Sequence, residues 1–187
     1  MKEKVSISLE DIWPQERDFI TRPDRLKYVR RLKSNETACV FCESAKAQEF
    51  SIENLLVFKT KWSQVLLNKF PYNTGHLIAA PLVHGGSMFD LNQEQYTDLM
   101  GTVKFAGEVL VEAYGVQGLN IGVNHGKVAG AGIPDHLHWH IIPRWFGDTN
   151  FFPVICETKV LPETIEQTWH KIKTTVDKMV LDNKGLQ

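Results

Sequence analysis

Asp135-His136-Leu137-His138-Trp139-His140-Ile141-Ile142-Pro143-Arg144 places three histidines at alternate positions, with Leu137, Trp139 and Ile141 filling the gaps between and after them. Successive side chains of a β-strand point to opposite faces, so residues i, i+2 and i+4 share one face. Three imidazoles then stand on one side and three bulky apolar groups on the other. A helix would scatter the histidines over about 200° at roughly 3.6 residues per turn. The stretch therefore predicts a strand over 136–142, buried through its apolar face. A half-exposed strand with polar outer positions is the plain alternative, but Ser, Thr or Lys would serve such a face equally well. Imidazole titrates near neutrality and binds metals, so the row points to phosphate handling or metal binding.

Immediately upstream runs His125-Gly126-Lys127-Val128-Ala129-Gly130-Ala131-Gly132. Glycine lets backbone N–H groups converge on an anion, although many glycine-rich loops are only tight turns. Its position directly before the histidine row favours the anion reading. Residues 118–124 before it read as a strand. A helix opening at Leu91-Asn92 is expected to run to about Tyr114, because Leu99, Val103, Ala106, Leu110 and Ala113 step by three or four. Gly115 is the expected C-terminal cap. Residues 54–59, 62–67 and 76–80 are short and rich in strand formers, the last closed by Pro81. Pro71, Asn73 and Gly75 mark a turn between the second and third. The order of elements predicts an α+β fold, an antiparallel sheet with the long helix packed on one face.

Toward the N-terminus, Trp13, Phe19 and Ile20 are expected to form an arm, and Arg25 to Lys33 a short basic helix with a solvated face. Toward the C-terminus, Arg144 to Phe152 is a loop rich in aromatics, read either as a packing lid or as a surface that stacks a base. Glu163 to Leu181 is expected to be a helix, with Ile165, Trp169, Ile172, Val176 and Val180 at helical spacing. The whole, 1–187, is expected to be one domain: an arm and short helix over 1–37, a core over 39–145, and the aromatic loop and last helix over 146–187.

Composition narrows the function. At 43% hydrophobic and 23% charged residues the chain is an ordinary globular protein, and a net charge of −1 gives no electrostatic case for nucleic-acid binding. No apolar run approaches the ~20 residues that span a bilayer, and the first residues do not form a signal peptide. Three cysteines, two of them in Cys39-Val40-Phe41-Cys42, do not make a secreted disulfide framework. A cytoplasmic protein is expected. In a reducing compartment a CxxC is more often metal-binding or catalytic; a lone one is a weak signal, and read as half of a zinc site it needs two more ligands, for which His84 and His136 are the candidates. Cys156 has no evident partner.

His136-Leu137-His138-Trp139-His140-Ile141-Ile142 resembles the signature of the histidine triad (HIT) superfamily of nucleotide hydrolases and transferases. Leu67 to His84 is similar to that family's strand, turn, Gly-His, strand and Pro-x-x-His segment, and Asn124-His125-Gly126 to its Asn-x-Gly. The resemblance spans roughly residues 39 to 145. It implies a homodimer and attack by the middle histidine, His138, on the α-phosphorus of a nucleoside phosphate, giving a covalent nucleotidyl-imidazole. It further implies that His140 and the backbone of Gly130, Ala131, Gly132 and Ile133 hold the phosphate oxygens, that Asn124 contacts phosphate, and that Asn68 contacts the ribose. Trp145, with Phe146, Phe151 and Phe152, would enclose the second nucleoside unless the aromatic loop is lid packing. Some members hold zinc through a CxxC, the Pro-x-x-His histidine and the first triad histidine. Here these are Cys39, Cys42, His84 and His136.

Typical members of the hydrolase branch carry Gln and then Ser or Thr four and three residues before the first triad histidine. Gly132 and Ile133 stand there instead. The loop Gly130-Ala131-Gly132-Ile133-Pro134-Asp135, with Pro143-Arg144-Trp145 and Thr158 to Pro162, is similar to the branch of bacterial diadenosine tetraphosphate (Ap4A) phosphorylases. That branch implies inorganic phosphate as the second acceptor and ADP plus ATP as products. Three other readings compete: a hydrolase releasing AMP from Ap4A, Ap3A or AMP-amidates; a zinc-stabilised nucleotide-binding or interaction module; and a catalytic metal site made of His136, His138 and His140.

Overall fold

Five antiparallel strands lie side by side in the order β1-β2-β3-β5-β4. The structure is a computed structural model, and it describes residues 38–148 and 161–184. The strands are β1 (Leu56–Lys59), β2 (Ser63–Leu67), β3 (Leu77–Pro81), β4 (Gly118–Val123) and β5 (Trp139–Arg144). Among the described residues three α-helices accompany them, α1 (Val40–Lys46), α2 (Gln93–Tyr114) and α3 (Ile165–Lys184). The α+β class and the antiparallel sheet agree with expectation. The readings of an N-terminal arm and basic helix, of Cys156, and of Phe151 and Phe152 fall outside the described residues.

The pleat divides the side chains between two cores. Val57, Val65, Leu67, Leu77, Ala79, Trp139 and Ile141 face α2 and α3 and form the main core with Leu99, Val103, Ala106, Leu110, Trp169, Ile172 and Val176. The opposite face carries Leu56, Leu66, Ile78 and Ala80, covered by Phe41 of α1. Central strands β2 and β3 are buried at every position, because both faces of the sheet are occupied.

Local chemistry explains where elements start. Asn92 caps α2 by accepting from Gln95 N–H, while the Gln95 side chain accepts from Asn92 N–H, a reciprocal capping box. Gly115 ends the helix in the left-handed conformation, as expected. The first strand begins at Leu56, two residues later than expected. Asn54 Oδ1 accepts from the N–H groups of both Ser51 and Leu56, and Leu55 sits at φ 58°. Asn54-Leu55 is thus a turn stabilised by the Asn side chain rather than strand. Pro81 lies within β3, at the end of the ladder opposite Ser63. The last helix begins at Ile165, after a second capping box between Thr164 and Gln167, and extends past Leu181 to Lys184.

Candidate active site

The histidine row alternates as expected, but only its last member lies in the sheet ladder. Regular pairing in β5 starts at Trp139, three residues later than predicted, and continues to Arg144. Leu137 N–H donates instead to Gly85 O at 2.8 Å, in the loop after β3. His136 and His138 therefore approach the sheet as an irregular segment, and each has its own surroundings. All three imidazoles are largely enclosed: His136 is 0% exposed and His138 6%, and His140 is half-buried.

His136 turns away from the other two. Its Nε2–H donates to Pro81 O at 2.9 Å, which directs Nδ1 toward Cys39 Sγ at 3.3 Å, Cys42 Sγ at 3.5 Å and His84 Nδ1 at 3.3 Å. Cys42 Sγ lies 3.3 Å from His84 Nδ1, and the four ligand atoms all fall within 4.8 Å of one another. Zinc bonds of about 2.0–2.3 Å in a tetrahedron imply ligand–ligand edges of about 3.3–3.8 Å. The four separations of 3.3–3.5 Å fit such edges, while the group as a whole spreads to 4.8 Å, and a histidine whose second nitrogen is bound to a backbone carbonyl has the tautomer a ligand needs. The Cys2His2 group can hold a metal ion. Burial, together with Cys39, pushes the Cys42 thiol up. Burial likewise holds His136 below the usual imidazole range, against the bond to Pro81.

Chain geometry brings the four ligands together. Cys39 and Cys42 sit at the start of α1, which is tied to the sheet where buried Gln64 donates to Phe41 O at 2.8 Å. His84 lies on the loop after β3. That loop crosses the approach to β5 so closely that a Cβ on Gly86 would stand 2.3 Å from Pro134 O. Only glycine fits there.

His138 points the other way. Its Nδ1–H donates to His136 O at 2.8 Å, leaving the lone pair on Nε2. The Phe41 ring lies tilted against it at 5.0 Å, and burial lowers the imidazole's pKa against that backbone bond. The result is a neutral, oriented imidazole. The His140 ring stands 5.1 Å away, edge to face. His140 pairs with Ile78 of β3 and Gly122 of β4, so it lies on the sheet face covered by α1, opposite α2 and α3.

Around this pair the structure places residues to which the sequence reading gave no role. His76, fully buried, has its Nε2 2.9 Å from His140 Nδ1. The Tyr72 ring covers both, at 4.8 Å from His76 and 5.8 Å from His140. Gly75-His76 was visible as part of a motif, but a histidine opening an apolar run gives no sign of what it touches. Asn68 turns its amide nitrogen to His76 Nδ1 at 3.2 Å and accepts Phe70 N–H. Asn124 donates across the glycine loop to Gly130 O at 3.5 Å. Within that loop the N–H groups of Ala129, Gly130 and Ala131 close the loop's own turns onto Gly126 O and Lys127 O. Gly132 and Ile133 follow, half-buried, on the approach to His136. Trp145 stands apart from the row. It follows β5, five residues after His140 and roughly 16 Å along the strand direction at ~3.3 Å per residue, and its ring meets Tyr114 edge-on at 6.2 Å.

Comparison with known proteins follows the geometry. A family model described as HIT domain matches residues 49–147. AP-4-A phosphorylase of Mycobacterium tuberculosis is 35% identical over 122 residues, covering 65% of this chain and 63% of that protein. The match thus spans just under two thirds of that relative. An adenosine 5'-monophosphoramidase of Saccharomyces cerevisiae is 32% identical over 109 residues, 58% of this chain and 64% of that protein. Among solved structures, a Zn-bound histidine triad family protein from Mycobacterium smegmatis superposes with a TM-score of 0.62 at 21% identity, covering 78% of this chain and 97% of that one. This last is a likeness of fold.

Proposed function

The chain belongs to the HIT domain family, and on that footing we propose that it is a nucleotidyl-transferring enzyme acting on dinucleoside polyphosphates through His138. The favoured reaction is phosphorolysis of Ap4A. His138 Nε2 attacks the α-phosphorus and the bond to the polyphosphate oxygen breaks, so ATP leaves and AMP stays on the imidazole. An oxygen of inorganic phosphate then attacks the same phosphorus, the P–N bond breaks, and ADP leaves with His138 neutral again. One difficult displacement becomes two easier ones.

The observation that carries this reading is the 2.8 Å bond from His138 Nδ1–H to His136 O. It fixes the tautomer with the Nε2 lone pair available, in a buried site that keeps the ring uncharged. His140, with Asn124 and the backbone N–H groups of Gly132 and Ile133, would hold non-bridging oxygens, and Asn68 the ribose; the N–H groups of Gly130 and Ala131, expected to share that task, are engaged within the loop by Lys127 O and Gly126 O. The 35% identity to a protein named AP-4-A phosphorylase supports the choice of phosphate as acceptor. The 32% identity to a phosphoramidase keeps hydrolysis, with AMP as product, as the second reading.

Zinc is the metal that the Cys39, Cys42, His84 and His136 set suits, four thiolate and imidazole donors gathered within 4.8 Å of one another. Bound there, it supplies a cross-link between α1, the loop after β3 and the approach to β5. A homodimer fits the outer side of α2 and β4. Val111 and Ile121 are half exposed there, with Met100 and Leu119 in the same shallow groove, and β4 is an edge strand whose outer ladder needs cover. Among the described residues no helix is long and apolar enough to cross a membrane.

Incubation with Ap4A, with and without inorganic phosphate, tests the reaction. Phosphate-dependent release of ADP with ATP is expected. Release of AMP at a rate indifferent to phosphate would replace the phosphorylase reading with the hydrolase one.

A further inference from the structure

His76 is the most buried histidine outside the metal cluster, at 0% exposed, and it lies behind His140 and Asn68, the two residues read as facing phosphate and ribose. Its hydrogen bonds have a direction that can be read. Tyr72 N–H points at His76 Nδ1 at 3.1 Å. A backbone N–H can only donate, so Nδ1 holds a lone pair. Asn68 agrees. Its Oδ1 accepts Phe70 N–H at 2.9 Å, which turns the amide nitrogen toward the ring, 3.2 Å from Nδ1 and 3.4 Å from Nε2. With Nδ1 an acceptor, the neutral ring carries its proton on Nε2. That nitrogen lies 2.9 Å from His140 Nδ1, so His76 Nε2–H donates and His140 Nδ1 accepts. The proton of neutral His140 is then on Nε2.

We propose that His76 is a positioning residue that fixes the His140 tautomer, so that His140 presents an N–H rather than a lone pair toward the phosphoryl group. The proposal rests on the reading that His140 faces phosphate. The direction of the chain runs from Tyr72 N–H to His76 and from His76 to His140. It is set by a backbone group that cannot reverse. An imidazole presenting a lone pair would repel the charge that develops on a phosphoryl oxygen, whereas a preorganised N–H stabilises it without reorganisation. The Tyr72 ring, lying over both imidazoles, keeps water from competing for the pair. His138 has a separate device, the His136 carbonyl. The two reacting-face histidines are thereby held in opposite tautomers, a lone pair on His138 Nε2 and a proton on His140 Nε2.

The test is nitrogen-15 NMR of histidine-labelled full-length protein, which distinguishes a protonated from an unprotonated ring nitrogen, beside steady-state turnover of Ap4A. The wild-type spectrum is expected to assign Nε2–H to both His76 and His140. A glutamine at this position has an acceptor oxygen for Tyr72 N–H and a donor nitrogen for His140, so His76→Gln should keep the His140 pattern and most of the turnover. His76→Leu can do neither. It should lose the single His140 pattern and lower kcat by roughly tenfold or more, with a smaller change in KM. A wild-type His140 protonated on Nδ1 would overturn the proposal, even if neither variant folds. So would a folded His76→Leu protein that keeps the wild-type His140 pattern, or equal losses of kcat in the two folded variants. Failure of the wild-type protein to turn over Ap4A would count against the enzymatic reading alone, because the spectrum is read without substrate.

Discussion

His138 is held by the backbone of the residue whose own side chain faces the metal-ligating group. The carbonyl of His136 accepts His138 Nδ1–H at 2.8 Å, while the His136 ring is fixed by Pro81 O and turned toward Cys39, Cys42 and His84. A single residue thus links the Cys2His2 cluster to the proposed nucleophile, ring on one side and peptide on the other. Disturbance of the cluster should reach His138 through this peptide.

Replacing His138 by alanine should abolish covalent chemistry without removing the site around it. Turnover of Ap4A is expected to fall by roughly three orders of magnitude or more, with AMP still binding within a few-fold of wild type by calorimetry. Retention of wild-type turnover would exclude His138 as nucleophile.

Purified protein should contain about one zinc per chain, and His84→Ala should lose most of it. His84 is the exposed member of the four, so its removal creates little cavity and the effect isolates the metal. Chelation of the wild-type protein should lower Tm by at least about 5 °C, because binding energy of a structural metal is folding energy. Metal analysis and thermal unfolding check this. Full metal retention in both His84→Ala and Cys39→Ala would point to the His136, His138 and His140 row as the metal site instead.

Gly86→Ala tests the crossing of the two loops. The added Cβ would meet Pro134 O at 2.3 Å, and backbone cannot yield as a flexible side chain does. A loss of about 1–3 kcal/mol is expected, together with weaker metal binding, because His84 and His136 lie on the two segments that are forced apart. Gly85→Ala, where nothing lies within 4 Å, is the control and should be close to neutral.

Acid sensitivity should have one source at the base of α3. Glu163 is subject to burial, which raises its pKa, but the Tyr114 hydroxyl at 2.6 Å, Lys171 and Thr168 outweigh burial and hold it below the usual carboxylate range. Burial and the bond to Glu163 push the Tyr114 phenol up in turn. A carboxylate with a depressed folded-state pKa stabilises the fold above its unfolded value, near ~4.3, and that stability is lost as pH falls through the folded value. Glu163→Gln should therefore be less stable than wild type by about 1 kcal/mol at pH 7, and the difference should shrink below about pH 4. Urea unfolding at the two pH values measures it; a difference independent of pH would contradict the assignment.

Much of this architecture is legible in the sequence, because periodicity reports burial directly. Leu137, Trp139 and Ile141 enter the main core as their alternation demands, and the stripe Leu99, Val103, Ala106 and Leu110 is buried. The helix starts after Asn92, as the Leu91-Asn92 opening predicts. What was not legible depends on partners distant in sequence. The regular strand begins late because Leu137 bonds to Gly85, 52 positions earlier by residue number, 137 minus 85. The importance of His76 comes from His140 and from one backbone N–H of Tyr72, neither of which leaves a pattern. Trp145 lies against Tyr114 because the chain after β5 turns onto the end of α2, guided by Asp148, which accepts from Arg144 and from Asn73. No local signal announces that turn.

The strand order carries a consequence for how the protein is made. Among the described residues β4 has no neighbour in the sheet except β5, and β5 lies between it and β3. A chain emerging from the ribosome up to residue 138 can pair β1, β2 and β3 as hairpins, but β4 must wait, its ladder open on both sides. Insertion of residues 139–144 then closes the sheet and brings His140 beside His76 in the same event. Long-range pairing of this kind is slow compared with local hairpins. Incomplete chains expose open edges, and they lack the His140 half of the site. A nascent or truncated form that stops short of β5 has neither His140 nor the pairing that seats it beside His76, so the proposed site is assembled only when the sheet is complete.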